Sequence, residues 1–420
     1  MNRREFLLMM AASSGANLLT PFHKVWAASS GADISAQKFL VVLLRGGVDG
    51  LNVVAPYGDS QYYALRPNIG IPKPGQDKGL IDLDGYFGMH PSLAPLLPYW
   101  KNKSLAFVHS AGSPDPSRSH FDAQDYMETG VPGAKNISTG WLNRLLAQMP
   151  PNKSPVQAVG IGALLPRILA GTASVATVSP QTKRNKSAID NPNIEAAFNR
   201  IYAGRTDALG KAYADGLAAH KELDAAMQKA LEDNDDPLMK EQMAANKGAP
   251  SPREFANFGQ QISGLFTHDP TMQIAFVDFG GWDTHVNEGT GTGQLARHLD
   301  PLAKGLDDLI KGLGPMYDNM QIIVMSEFGR TAKENGNAGT DHGHGNVMWL
   351  LGKNVEGGKV YGRFAGLGAD KLHEGRDLPT STDFRSVLAA SMKDHLKLSS
   401  KALTQIFPDF QATGNPFAQG

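Results

Sequence analysis

Short apolar runs recur along the chain at 39–44, 105–109, 156–161, 274–279, 322–326 and 347–351. Their length and continuity predict strands buried on both faces. Residues 295–313 follow another period: Leu295, Leu299, Leu302, Leu306, Leu309 and Leu313 recur at helical spacing just before the strand at 322–326. One amphipathic helix between two apolar runs is a β-α-β unit. Repeated, it predicts an α/β fold, a three-layer α/β/α sandwich with a mainly parallel sheet and helices on both faces. Residues 192–247 carry no strand signal and are rich in Ala, Lys, Glu, Asp and Met, which predicts a helical insertion within a single domain spanning 38–414.

The first 28 residues stand outside that pattern. A basic start with Arg3 and Arg4, then Phe6 and Leu7, a weak apolar middle and a small-residue site at Val25, Trp26 and Ala27 predict a signal peptide of the twin-arginine type, with the twin-arginine export machinery as a partner. Ser13, Ser14, Gly15 and Asn17 interrupt the apolar run well short of the roughly 20 residues that a membrane span needs. A periplasmic or secreted protein without a span after processing is therefore expected. The 420 residues carry 40 basic and 41 acidic side chains, so no global charge favours nucleic acid. There are no cysteines, which excludes disulfides, thiolate metal ligands and cysteine nucleophiles.

In a parallel sheet, ligands bind beyond the carboxyl ends of the strands, so polar residues directly after apolar runs are the candidates for chemistry. Four places qualify. Asp49 follows the first run after Gly46 and Gly47, as a ligand or as a turn aspartate. Ser119 ends a Pro-rich loop where a helix begins. With Asp122 three residues on, it is either a capping box or a hydroxyl at a helix N-terminus that welcomes an anion. Asp283 and His285 are two apart just past a strand, hence on one side of an extended chain. Glu327 closes the strand at 322–326, and Asp341, His342 and His344 return shortly after, the histidines again two apart. Carboxylates, imidazoles and a hydroxyl form a donor set suited to one or two divalent metal ions, Zn, Mn, Mg or Ca. Of the other histidines, His90 and His109 are expected to be buried and satisfied, while His120 is either a ligand or an acid.

The blocks LRGGVDGLNVVAPYGD, SRSHFDAQDYMETG, GGWDTHVNEG, SEFGRTAKENGN and GTDHGHGNVMWLLG resemble the domain-of-unknown-function 1501 family of exported bacterial proteins, related to the alkaline phosphatase and sulfatase superfamily. The resemblance implies an alkaline-phosphatase-like sandwich with a metal site at the carboxyl edge of its sheet. It assigns Asp49 as the strand-end acid, Ser119 as the nucleophile, Asp283 with His285 as the acid and histidine pair, Glu327 as the second acid, and His342 or His344 as the closing ligand. Two departures stand out. The pair is spaced by two rather than the usual four, and Phe328 stands where a histidine is usual, which points to a weakened or absent second metal site. Pro116, Ser117 and Arg118 match a sulfatase run, but Pro114 occupies its nucleophile position and no cysteine exists to be modified.

Hydrolysis of phosphate or related esters, on a small-molecule or polymer substrate, is the activity that this resemblance implies. Arg118, Arg45 or Arg330 would then hold the non-bridging oxygens. The alternative is a non-catalytic exported protein that keeps a metal site and binds a polysaccharide or a partner protein.

Overall fold

The computed structural model describes residues 37–150, 156–162, 165–179, 237–411 and 415–417. The export signal and most of the expected insertion, up to residue 236, lie outside the described residues.

Strand β1 (Lys38–Leu44) is the axis of the molecule. The other strands are β2 (Val54–Ala55), β3 (Ile81–Asp82), β4 (Gly88–Met89), β5 (Leu105–Gly112), β6 (Ala158–Ile161), β7 (Ala176–Val178), β8 (Ile274–Phe279), β9 (Met320–Ser326), β10 (Asn346–Gly352), β11 (Val360–Tyr361) and β12 (Thr382–Asp383). Nine of them form one sheet in the order β11-β5-β10-β9-β1-β8-β6-β7, with β12 paired to β5, while β2, β4 and β3 form a small separate sheet. Pairing is parallel throughout the large sheet except at β10, which runs antiparallel to both β9 and β5.

Alternation along β1 explains the layers. Leu40, Val42 and Leu44 point into one core, while Phe39, Val41 and Leu43 point into the other. The longer helices are α1 (His120–Thr129), α2 (Trp141–Gln148), α3 (Pro237–Asn246), α4 (Phe258–His268), α5 (Gln294–Leu313) and α6 (Phe384–His395). The first core takes α4 and α5, with all six leucines of the predicted stripe buried, and the second takes α2 and α6. The result is the expected α/β/α sandwich. Among the described residues, no helix is long and apolar enough to cross a membrane.

Register brings the chemistry to one edge. Leu44 pairs with both Phe279 and Ser326, so β1, β8 and β9 finish side by side. Strand β5 ends on that edge too, leading through the 113–119 loop into α1, and antiparallel β10 starts there. Two glycines make the crowding tolerable. A Cβ on Gly46 (φ +120°) would lie 2.6 Å from the Asp283 backbone nitrogen, and one on Gly47 (φ +66°) would lie 2.5 Å from the Phe328 ring.

Candidate metal centre

Three histidines from three different segments meet at this edge. His120 opens α1, His285 follows β8, and His342 lies on the return from β9 to β10. The His342 Nε2 is 3.0 Å from the His120 Nε2 and 3.0 Å from the His285 Nε2. Asp283 completes the group: its Oδ1 is 3.2 Å from His342 Nε2 and 3.0 Å from His285 Nε2. Its Oδ2 is buried without a hydrogen-bond partner, 3.5 Å from His120 Nε2. Glu241 of α3 faces the cluster from the solvent side, with Oε1 3.7 Å from His342 Nε2.

The other ring nitrogens decide what the cluster is for. His120 Nδ1 donates to Glu327 Oε1 at 2.8 Å, His342 Nδ1 donates to the Arg118 carbonyl at 3.0 Å, and His285 Nδ1 lies 3.4 Å from Asp341 Oδ1. With each Nδ1 proton turned to an acceptor, the neutral tautomers aim three Nε2 lone pairs at one another. Lone pairs 3.0 Å apart repel unless a proton or a cation lies between them. Burial would lower His120, but Asp283 and Glu327 outweigh it and lift its pKa to about 9, so a proton can bridge His120 to His342. That leaves the second neighbour of His342 unserved, because its Nε2 has a single lone pair. One cation would serve all three.

The spacing fits such an ion. Four ligands at about 2.0–2.1 Å in a tetrahedron sit about 3.3 Å apart, and the six close contacts that His342 and Asp283 make in the cluster run from 3.0 to 3.7 Å. The ligand atoms of His120, Glu241, Asp283 and His342 all lie within 4.8 Å of one another. Burial would raise Asp283, but contacts from the three histidines and the Arg330 guanidinium hold it well below the ordinary carboxylate value. Burial lowers His342 against the pull of Asp283, keeping the ring neutral. The residues present can hold a divalent cation.

They do not fit a second one. Asp49, assigned by resemblance as a ligand, is outside the cluster. It caps the one-turn helix Gly50–Val53, and its two oxygens take both terminal nitrogens of Arg66, fully buried. A carboxylate neutralised by a buried guanidinium has no charge left for an ion. Glu327 is behind His120 rather than beside it: Oε1 accepts from Gly46 N, His120 and Gln124, and Oε2 lies 3.2 Å from Ser326 Oγ. Burial would raise its pKa, yet His120 and Gln124 bring it down to about 2, so it stays an acceptor that orients the imidazole. Phe328 packs its ring 4.8 Å from His120 and 4.9 Å from His342, walling the cluster with hydrocarbon.

Other expectations shift as well. His344 does not reach the cluster: its Nδ1 donates to Asp377 at 2.5 Å and its Nε2 lies 2.9 Å from the Pro116 carbonyl. The two-residue spacing does put both histidines on one side, where they fasten carbonyls 116 and 118, but only His342 also looks toward Asp283. Asp341 is half exposed and stands behind His285. Ser119 occupies the N-cap of α1 without the capping bond that its sequence suggested, so its exposed hydroxyl is not spent on the helix. Arg45 is buried with Asp278, Glu128 and Gln124, and Arg330 is buried on Asp283 and the Gly46 and Gly47 carbonyls, so neither can grip a substrate. Arg118 pairs with Glu374 and Asp377 and remains partly exposed. His90 and His109 are buried, as expected, and bonded to the Thr290 and Val54 carbonyls; His90 also accepts from Ser92 N and is satisfied on both ring nitrogens, whereas His109 Nδ1 has no hydrogen-bond partner. Glu241, Gln124 and Arg66 were not singled out from the sequence. Glu241 is an ordinary glutamate in a helical stretch, and the partners of Gln124 and Arg66 are set by tertiary packing.

No curated protein matches the chain. Solved structures similar to it include the C-terminal periplasmic domain of EcEptC from Escherichia coli, 10% identical over 91% of each chain with a TM-score of 0.40. The PsFucS1 sulfatase from Pseudoalteromonas sp. is 12% identical over 96% of this chain and 78% of that one, with a TM-score of 0.37. The lipoteichoic acid synthase LtaP from Listeria monocytogenes is 10% identical over 86% and 80%, with a TM-score of 0.34. A family described as protein of unknown function, DUF1501, matches residues 36–407, almost the whole described chain, and the protein belongs to that family.

Proposed function

We propose that the chain is an exported hydrolase of phosphate or related esters that works with one divalent ion held by His120, His285, His342 and Asp283. Convergence of three Nε2 lone pairs on a buried carboxylate, each with its Nδ1 turned to an acceptor, carries the reading. Export rests on the twin-arginine-like segment at residues 1–28. A bound divalent ion supplies Lewis-acid polarisation of an ester oxygen and a lowered pKa for a hydroxyl or water.

The chain's own groups do the rest. Ser119 offers an exposed hydroxyl one residue from the ligand His120, at the N-terminus of a ten-residue helix whose first backbone NH groups favour a negative charge. Glu327 and Asp341 hold the His120 and His285 rings in the tautomer that presents Nε2. Arg330 offsets part of the Asp283 charge from below. Phe328 keeps water from one wall. Zinc and manganese suit an imidazole-rich set better than magnesium or calcium.

The test is an ester panel of phosphomonoesters, phosphodiesters and sulfate esters with metal-loaded protein. Ser119→Ala should lower turnover by about a hundredfold or more with metal content unchanged. Undiminished turnover in Ser119→Ala would remove the serine from the reaction. A second reading, a non-catalytic binding protein, is favoured by one observation: Arg45 and Arg330 are spent on internal partners, leaving Arg118 as the one partly exposed guanidinium among the three arginines considered. Tight metal with no turnover of any ester would support it.

A further inference from the structure

The groups at the metal centre differ in how firmly they are held. His120, His285 and His342 each have an acceptor behind the ring, and Asp283 is buried against Arg330. Glu241 is the exception. Its side chain is 44% exposed, its one contact at the centre is the 3.7 Å approach to His342, and among the described residues no hydrogen bond to either carboxylate oxygen is seen.

Its helix, by contrast, is pinned. Gln242 Nε2 donates to the Asp283 carbonyl at 3.1 Å, Gln124 Nε2 donates to the Ala245 carbonyl at 2.6 Å, and Asn246 Oδ1 accepts from Gly281 N at 2.7 Å. Lys247, just past the helix, pairs with Glu128 at 3.6 Å. Gln124 links this docking to the ligands, because the same amide donates to Glu327, which orients His120. A rigid backbone therefore presents a loose carboxylate at the solvent-facing side of an otherwise locked centre. Glutamate has three rotatable side-chain bonds, enough to swing into water without moving α3.

We propose that Glu241 is the exchangeable ligand of this centre. It occupies the solvent-facing position at rest and yields it to a tetrahedral oxyanion, the charged group of an ester substrate or of its product. The inference rests on the metal reading above and adds what that reading leaves open, namely which position substrate takes and what holds it before. Carboxylate and oxyanion carry charge of the same sign and want the same site, so they exclude one another rather than bind side by side.

The experiment uses the folded chain, with zinc and inorganic phosphate as probes, and compares wild type, Glu241→Gln, Glu241→Ala and Asp283→Asn. Zinc content and affinity are read by metal analysis and chelator competition, and phosphate binding to the zinc-loaded protein by calorimetry. Both Glu241 variants should keep zinc with an affinity weakened by at most about tenfold and should bind phosphate at least about threefold more tightly than wild type. Phosphate affinity that is unchanged or weaker in both variants would overturn the proposal. Loss of zinc as complete as in Asp283→Asn would also overturn it, making Glu241 a fixed ligand. If wild type and Asp283→Asn bind zinc alike, the centre itself is wrong, which is a separate failure. Because Glu241 is half exposed, neither variant threatens the fold.

Discussion

Two sets of carboxylates share the carboxyl edge of the sheet, and their charge is met in two different ways. Asp49 and Glu288 are fully buried beside Arg66, whose guanidinium also donates to Asn52 and to the Thr331 and Ala332 carbonyls. Asp283 has Arg330 on Oδ1, which also meets the Nε2 atoms of His285 and His342, while its Oδ2 lies 3.5 Å from His120 Nε2 with no hydrogen-bond partner of its own. The first set carries its cation within the chain and closes. The second is short of positive charge at a point that solvent can reach past Glu241. A buried guanidinium thus fills the place that a metal could take in the first set, whereas the second leaves a carboxylate oxygen beside an imidazole nitrogen, where a cation could be held.

Breaking the closed set should give the largest effect. Arg66→Met would leave Asp49 buried and unpaired, at a cost of about 3–5 kcal/mol in unfolding free energy measured by denaturant titration. Metal stoichiometry should not change, because Arg66 touches no ligand of the cluster. Loss of metal in a variant that still folds would show that the two sets are one unit, and the comparison would fail.

Weakening the open set should cost less in stability and more in binding. Glu327→Gln keeps the shape of the side chain but removes the charge that His120 Nδ1 meets. Metal affinity should fall about 10- to 100-fold by chelator competition, while the sheet edge keeps its hydrogen bond from Gly46 N through the amide oxygen. An affinity within twofold of wild type would mean that His120 needs no orienting carboxylate, and Glu327 would lose its role.

Much of this arrangement could be read from the sequence. Continuous apolar runs revealed the strands, and the leucine stripe revealed α5, because burial on both sides of a sheet leaves a strong local signature. The strand-end rule then pointed to Asp283, His285, Glu327 and His342. Local pattern could not separate ligand from support. His342 and His344 have the same spacing and the same orientation toward the 116–118 loop, and only the position of Asp283 distinguishes them. Asp49 looked like a ligand because nothing nearby in sequence advertises that Arg66 will fold back on it through a buried bidentate contact. Glu241 was hidden for the opposite reason, as one glutamate among many in an Ala- and Lys-rich stretch.

The smallest effect should come from Glu288, and it separates the two sets by pH. Burial and the neighbouring Asp49 raise the Glu288 pKa well above 4.5, whereas Glu327 is lowered to about 2. A carboxyl raised in the folded state binds its proton more tightly there than in the unfolded chain. Its contribution is therefore fully present below about pH 4.5 and is lost as pH rises through the folded value. Glu327 works the other way, contributing above 4.5 and losing that contribution as pH falls toward 2. Glu288→Gln offers an uncharged group that can still donate to Asp49 and accept from Thr284 and Thr340, while Asn52 Nδ2 keeps the Ile69 carbonyl. At acid pH its stability should match wild type within about 1 kcal/mol. Toward alkaline pH the variant should lose less stability than wild type in metal-loaded protein, where His120 is held as a neutral ligand. An alkaline slope that stays the same in Glu288→Gln would mean that the closed set is neutralised by Arg66 alone, with no shared proton.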